Sequence, residues 1–375
     1  MMNEFLQKGL QMKKNLGFGL MRLPLKGETV DIDAVSALVD RFLEKGFCWF
    51  DTARPYHGGN SEEAFRLAVA KRHDRNTFFL ADKFTQNMLQ ENETPLQFFE
   101  KQLERTGLEY FDRYLLHAMD APKIAEAEEK GYWQFLADLK KQNLVKSAGF
   151  SFHDTADVLD KALTAHPEVD FVQLQINYAD WESSGVQSRL CYETAVRHGK
   201  TVLVMEPVKG GMLAGLPPRA VEVLKAVHSD WSIASWAIRF AASLPTVDTV
   251  LSGMSNPEQL EDNMAVIAGF EPLGAKEYDA LQEVQTILAA VPQVPCTRCG
   301  YCVDHCPVEL PIPNLLGVLN SSRLFGKEPA RGSFNWYARN HKPSECLNCH
   351  ACEKMCPQHL AIPDYLAELK ETFEG

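Results

Sequence analysis

No stretch of this chain is apolar for long enough to cross a bilayer, and no low-complexity tract interrupts it. Those absences speak against a helical membrane protein and against a disordered or fibrous one. Met1 to Leu25 carries scattered charges and no continuous apolar core, so no export signal is expected and the chain is read as cytoplasmic. Basic residues are in deficit: 38 Lys and Arg against 50 Asp and Glu leave a formal charge of −12. Nucleic acid and anionic membrane both demand a basic footprint, so neither is expected as a partner. The G-x-G-x-x-G turn of a doubly wound dinucleotide-binding sheet is also missing. Before residue 296 the chain has only two cysteines, Cys48 and Cys191, both in apolar surroundings where a free cysteine behaves as a small buried hydrophobe.

The other eight cysteines are crowded into the tail. C-T-R-C-G-Y-C-V-D-H-C-P runs from Cys296 to Pro307, and C-L-N-C-H-A-C-E-K-M-C-P from Cys346 to Pro357. This C-x-x-C-x-x-C-x-x-x-C-P pattern, present twice, is the ligand spacing of two [4Fe–4S] clusters. In such doubled runs the fourth cysteine serves the other cluster. The expected sets are therefore Cys296, Cys299, Cys302 with Cys356, and Cys346, Cys349, Cys352 with Cys306. Zinc is the rival for eight thiolates, but zinc sites use paired cysteines rather than a third at the same spacing followed by C-P. Clusters pass single electrons, so redox chemistry and a reducing compartment are expected.

Up to about residue 290, β-branched or aromatic runs alternate with helix-period segments, as in repeated βα units. Strands are predicted at Gly17 to Met21, Phe47 to Asp51, Thr77 to Asp82, Arg113 to His117, Val145 to Gly149, Phe171 to Gln175, Thr201 to Met205 and Thr249 to Ser252. Eight is the barrel number, so the fold class expected is α/β, a (β/α)8 TIM barrel over 1–288. Ile32, Val35, Leu38, Val39 and Phe42 mark one helix face, and Leu96, Phe99 and Leu103 another. The prolines of Ala289-Ala-Val-Pro-Gln-Val-Pro295 mark a joint to a small, mainly helical iron-sulfur domain over 289–375, in which Pro313 to Lys342 is expected to form helices packed on the clusters.

Chemistry in a barrel belongs at the C-terminal strand ends, and polar residues gather there. Asp51 ends F-C-W-F-D, Tyr56 follows in D-T-A-R-P-Y, Lys83 ends F-F-L-A-D-K and His117 ends R-Y-L-L-H. In these motifs, and in Q-L-Q-I-N-Y and N-P-E-Q-L-E-D-N, the chain resembles the aldo-keto reductase superfamily from about Gly17 to Asn263. With its tail it is similar to members carrying a C-terminal ferredoxin-type domain. The resemblance implies NAD(P)H as cofactor, a small-molecule carbonyl substrate and Asp51, Tyr56, Lys83 and His117 as the catalytic set. It further implies that Ser151, Gln175 and Asn177 hold the carboxamide end, that Ser252, Gly253 and Ser255 form the phosphate turn, and that Asn263 reaches the adenine. The chain departs from the pattern in placing Met205 where many relatives stack an aromatic on the nicotinamide. Gly253 and Gln259 stand where NADPH-preferring members carry a Lys and an Arg. Lys209, in P-V-K-G-G, is a candidate to substitute for that missing charge, with a solvated surface lysine the preferred reading.

The residue chemistry agrees with the resemblance. Hydride delivery to a carbonyl leaves negative charge on oxygen, so a proton donor and a polar pocket must meet that oxygen. Tyr56 is the candidate acid, and a Lys83 cation beside it would favour its ionised form; Asp51 would hold Lys83, and His117 would orient the oxygen. Met21, Arg22, Trp49, His57, Trp133 and Trp181 are candidates to shape a pocket, with Arg22 placed to grip a substrate carboxylate. A nicotinamide moves two electrons and each cluster one, and no flavin fingerprint is visible to join them. Three readings follow: a carbonyl reductase whose clusters are structural or carry electrons, an electron-transfer protein whose barrel docks a redox partner or a flavin, and a nucleotide-sensing redox regulator. The complete set of four polar residues favours the first.

Overall fold

The structure, a computed structural model, describes residues 14–296 and 299–375. Most of the segment examined for an export signal therefore lies outside the described residues. The chain divides into two compact units, 14–207 with 235–273 and 208–234 with 274–375.

The first unit is built on a closed barrel of eight parallel strands. In chain order these are β1 (Asn15–Gly19), β4 (Trp49–Asp51), β5 (Phe79–Phe84), β6 (Phe111–Met119), β7 (Val145–Phe152), β8 (Phe171–Gln175), β9 (Thr201–Met205) and β10 (Val247–Ser252), with β10 pairing back to β1. The short hairpin β2 (Leu25–Lys26) and β3 (Thr29–Val30) lies outside the barrel and was not expected. All eight predicted strands are present, two of them with the predicted ends. Ala81, Leu115, Phe171 and Leu203, from four strands, meet in one buried cluster. At the neighbouring position of β7 only glycine fits, because a Cβ on Gly149 would lie 2.3 Å from the Phe171 carbonyl oxygen and 2.8 Å from its ring.

The helix Ile32–Glu44 buries Val35, Leu38, Val39 and Phe42 as its periodicity predicts. The helix Pro95–Thr106 follows its prediction at Phe99 but not at Leu96 or, fully, at Leu103. Leu96 is 44% exposed, and the inward face is instead Phe98, Phe99, Gln102 and Thr106. The reason is polar: Gln102 is drawn into the interior by hydrogen bonds to Glu62 and to the Lys83 carbonyl, which rotates the buried stripe.

In the second unit the helices Ile312–Phe325 and Lys327–Tyr337 supply Leu315, Leu316, Val318, Leu319 and Phe334 to a core that includes Cys302 and Cys352. Cys296, Cys306, Cys346 and Cys356 pack against that core. The helices expected between the two cysteine runs are thus present and packed on them. No helix among the described residues is long and apolar enough to cross a membrane.

Candidate active site

Parallel pairing sets Asp51 beside Ala81 and Lys83 beside Leu115, so adjacent strands deliver their last polar residues to one end of the barrel. Lys83 is fully buried and Asp51 nearly so. The Lys83 ammonium donates to Asp51 Oδ1 at 2.7 Å and to the Thr52 carbonyl at 2.6 Å. It also lies 5.0 Å from the centre of the Tyr56 ring. The His117 ring stands edge-on to Tyr56 with centroids 5.9 Å apart. The four sequence-predicted residues are therefore together.

Their electrostatics differ in one respect from the sequence expectation. Burial depresses the Lys83 ammonium, but Asp51 and then Tyr56 outweigh it, and its pKa ends above the ordinary lysine value. Burial raises the Asp51 carboxyl against the opposing Lys83 charge. The Tyr56 hydroxyl also ends above the usual tyrosine value: burial outweighs the lowering by Lys83, and Asp51 adds to the rise. Tyr56 is thus held protonated, as a donor requires, rather than pre-ionised.

His117 is pushed well below the ordinary histidine value by burial, then by Lys83, His153 and Lys123. It is neutral at physiological pH. Thr85 Oγ1 sits 2.9 Å from His117 Nδ1; a hydroxyl donating there leaves the ring proton on Nε2. Because the unfolded chain takes up this proton first, His117 contributes stability that is lost as pH falls below about 6.5. Thermal midpoints measured down a pH series should therefore fall less steeply for His117→Asn than for the parent. Equal slopes would show that His117 is not held neutral.

Behind Lys83 lies a buried polar network that spacing alone does not reveal. Glu62 accepts from Gln102 at 2.9 Å and from Arg105 at 2.5 Å, and Gln102 also donates to the Lys83 carbonyl at 3.1 Å and accepts from Tyr114. Asp82, next to Lys83, accepts from the Lys83 amide at 2.8 Å, and its Oδ2 has no hydrogen-bond partner among the described residues. Burial, then the Glu62 charge, raise the Asp82 carboxyl well above the carboxylate range. The network clamps Lys83 through its backbone as Asp51 clamps it through its side chain.

The residues expected at the cofactor are each held by a neighbouring group. Ser151 Oγ accepts from the Ala118 amide at 2.7 Å. Gln175 and Asn177 both donate to Asp180 Oδ2, at 3.1 and 2.9 Å. Asp180 and Thr85 are orienting residues that the sequence reading missed; the i+3 step from Asn177 to Asp180 is the one local signal for the first. Met205 Sδ lies 3.6 Å from the Gln173 amide nitrogen. Asn263 donates to Ser252 Oγ at 3.0 Å, and Gln259 Oε1 accepts from the Ser255 amide at 2.7 Å. The half-buried Gln175 at the end of β8, the buried Asn177 just beyond it and the buried Ser151 of β7 are polar groups that fit a nicotinamide carboxamide, and the orphaned buried Gln173 Oε1 leaves an acceptor to satisfy.

Of the pocket candidates, Trp133 is core, stacked 4.0 Å from His166, and Trp49 stacks on Phe79 under Arg113. Trp181 packs edge-on against Phe240. Met21 and Arg22 are exposed. Cys48 and Cys191 are buried, with thiols pushed up to about 12 by burial.

In the second unit two cavities separate the eight cysteines by fours. One is lined by Cys296, Cys299, Cys302 and Cys356, the other by Cys306, Cys346, Cys349 and Cys352. Among the described residues no three His, Cys, Asp or Glu side chains converge as ligands of a single ion do. Four thiols around a hollow, with Leu316, Leu360 and Ile362 at one and Leu310, Ile312 and Leu366 at the other, fit a multi-iron cluster in an apolar shell.

Residues 15–286 match the aldo/keto reductase family and residues 295–362 match a 4Fe-4S dicluster domain. An aldo-keto reductase of Mycolicibacterium vanbaalenii is 30% identical over 249 residues, 64% of this chain and 80% of that protein. The L-galactose dehydrogenase of Arabidopsis thaliana is 25% identical over 297 residues, 74% of this chain and 91% of its own. Among solved structures, an aldo-keto reductase from Klebsiella pneumoniae in complex with NADPH superposes with a TM-score of 0.58 at 20% identity, covering 72% of this chain and 90% of that one. The holo form of one from Bacillus halodurans gives 0.57 at 21%, covering 72% and 91%. At that identity the shared property is the barrel fold. Since the family match takes in β1 through β10 and every strand-end residue described above, the chain belongs to the aldo/keto reductase family, an oxidoreductase of that type with a 4Fe-4S dicluster domain at its C-terminus.

Proposed function

We propose that this protein reduces an aldehyde or ketone to an alcohol with NAD(P)H, and that its tail holds two [4Fe–4S] clusters which are structural or carry electrons. The observation that carries the reading is the buried Asp51–Lys83 pair under Tyr56, with a neutral His117 beside it. When bound, the nicotinamide supplies hydride, and Ser151, Gln175 and Asn177 would hold its carboxamide. Tyr56 gives its hydroxyl proton to the carbonyl oxygen as charge develops there, while Lys83 stabilises the phenolate left behind. His117 donates from Nε2 to the same oxygen and orients it. Asp51 keeps Lys83 charged and in place. The NADPH bound by the Klebsiella pneumoniae relative supports the cofactor class.

The functional division we adopt is a barrel over 1–288 and a cluster domain over 289–375, acting in the cytoplasm. The exposed Cys299 and Cys349 favour electron passage to a protein partner at those edges. The deciding experiment is anaerobic: NADH, then NADPH, is mixed with the cluster-loaded protein while cluster absorbance and nicotinamide oxidation are followed. Carbonyl-dependent nicotinamide loss without bleaching is the expected result for clusters that serve structure or another partner. Bleaching would show that the clusters take electrons from the nicotinamide, and nicotinamide oxidation that no carbonyl stimulates would overturn the reductase reading.

Crossed ligation has its own test. Cys356→Ser should cost about half the iron, and adding Cys296→Ser should cost no more, because both would serve one cluster. Adding Cys346→Ser to Cys356→Ser should remove the rest. The reverse pattern would mean that each cysteine run holds its own cluster.

A further inference from the structure

The loop after β1 is fixed from three directions. Ser61 Oγ donates to the Leu20 carbonyl at 3.1 Å, the Leu23 amide donates to His57 Nε2 at 3.1 Å, and Ser255 Oγ donates to the Arg22 carbonyl at 2.6 Å. The backbone of Arg22 is thereby tied both to the turn that carries Tyr56 and to the turn that follows β10. Its side chain, in contrast, is exposed, and no carboxylate or carbonyl among the described residues takes its guanidinium.

The stem of Arg22 lies across Gly253. A Cβ built on Gly253 would stand 3.0 Å from Arg22 Cβ and 3.2 Å from its Cγ and Cδ. The arginine therefore occupies the space that a side chain at 253 would need. The turn itself brings no charge: Gln259 is used on the Ser255 amide and Asn263 on Ser252. What is left at this corner of the barrel mouth is one guanidinium, on a backbone anchored at three points, projecting beside a glycine turn at the C-terminal ends of β1 and β10. A planar fork of donors so placed suits a phosphate, and anchoring lowers the ordering cost of binding one.

We propose that Arg22 binds a phosphate of the nicotinamide dinucleotide, in place of the charge that positions 253 and 259 lack. This rests on the nicotinamide reading above and differs from the substrate-carboxylate role expected of Arg22 from the sequence, because its stem lies along the turn after β10. Gly253 is part of the same device, since a larger residue there displaces the stem.

Dissociation constants of NADH, NADPH, ADP-ribose and 2′,5′-ADP, measured by calorimetry on the cluster-loaded protein, test the assignment. Arg22→Gln should weaken nucleotide binding roughly 10- to 100-fold, the range of a charge-assisted contact. Gly253→Ala should weaken it less, by shifting the stem without removing the charge. A loss shared by ADP-ribose and NADH identifies the diphosphate, and a loss confined to 2′,5′-ADP and NADPH identifies the 2′-phosphate; either supports the proposal. Parent-like nucleotide binding in Arg22→Gln, with a raised KM for a carboxylated carbonyl substrate, overturns it and returns Arg22 to the substrate. Failure of the parent protein to bind any of the four overturns the nicotinamide reading itself, and this inference with it.

Discussion

Replacing Tyr56 with Phe is expected to lower kcat for carbonyl reduction by about 10²- to 10⁴-fold, the usual worth of a positioned proton donor. The substitution deletes one hydroxyl and keeps the ring that faces His117 and lies near the Lys83 ammonium. Folding, cluster absorbance and nucleotide affinity should therefore be unchanged, so the loss isolates proton transfer. The direction of the Tyr56 shift adds a pH signature: the hydroxyl is raised by burial despite Lys83. The acid stays loaded through neutral and mildly alkaline pH, and the parent rate should not decline until pH passes the ordinary tyrosine value near 10. Turnover in Tyr56→Phe close to that of the parent would remove Tyr56 from the mechanism, and a decline near neutrality would contradict the electrostatics of the site.

Lys83→Met should be severe in a second way. Lys83 is fully buried and is the group that neutralises Asp51, whose Oδ2 has no hydrogen-bond partner among the described residues. Removing the cation leaves a buried, uncompensated carboxylate at a cost of about 3–5 kcal/mol. In a protein of this size that corresponds to a fall in thermal midpoint on the order of 10 °C. The double substitution Asp51→Asn with Lys83→Met removes both charges and should recover most of the lost stability while remaining inactive. If the single and double variants were equally unstable, the loss would come from packing around the lysine stem rather than from the charge. The sign of the pair's pH dependence follows from the Lys83 shift. Its folded value is raised, so its contribution is fully present below 10.5 and is lost only as pH rises through the still higher folded value.

Residues that repeat along the chain or sit at strand ends were legible; residues that matter through distant partners were not. The eight strands follow from apolar runs at regular spacing, and β8 and β9 match the prediction to the residue. Strand ends elsewhere differ because hydrogen bonding to a neighbour, not propensity, decides where a strand stops: β6 runs on to Met119 while it pairs with Phe152 of β7. The inward face of the helix Pro95–Thr106 was partly misplaced because Gln102 looks like a surface residue until Glu62 and Tyr114, 40 and 12 residues away, are folded against it. Thr85 escaped notice because a lone threonine in a loop carries no pattern of its own, and Asp180 because its one local mark is the i+3 step from Asn177. Their importance lies in the groups they hold.

Composition and spacing alone determined the class of metal centre, since two C-x-x-C-x-x-C-x-x-x-C-P runs have one common use, and they determined the barrel; Asp51, Tyr56, Lys83 and His117 were singled out by their places at or after strand ends together with the family resemblance. The crossed grouping of the cysteines was also expected from the sequence, and the two cavities are lined by those same sets. Only the tertiary structure decided that burial prevails over Lys83 in setting the acidity of Tyr56, and that Arg22 lies on the turn after β10. The division has a physical basis. Side-chain chemistry and local periodicity are properties of the chain, whereas desolvation and the pairing of charges from separate strands exist only once the barrel has closed around them.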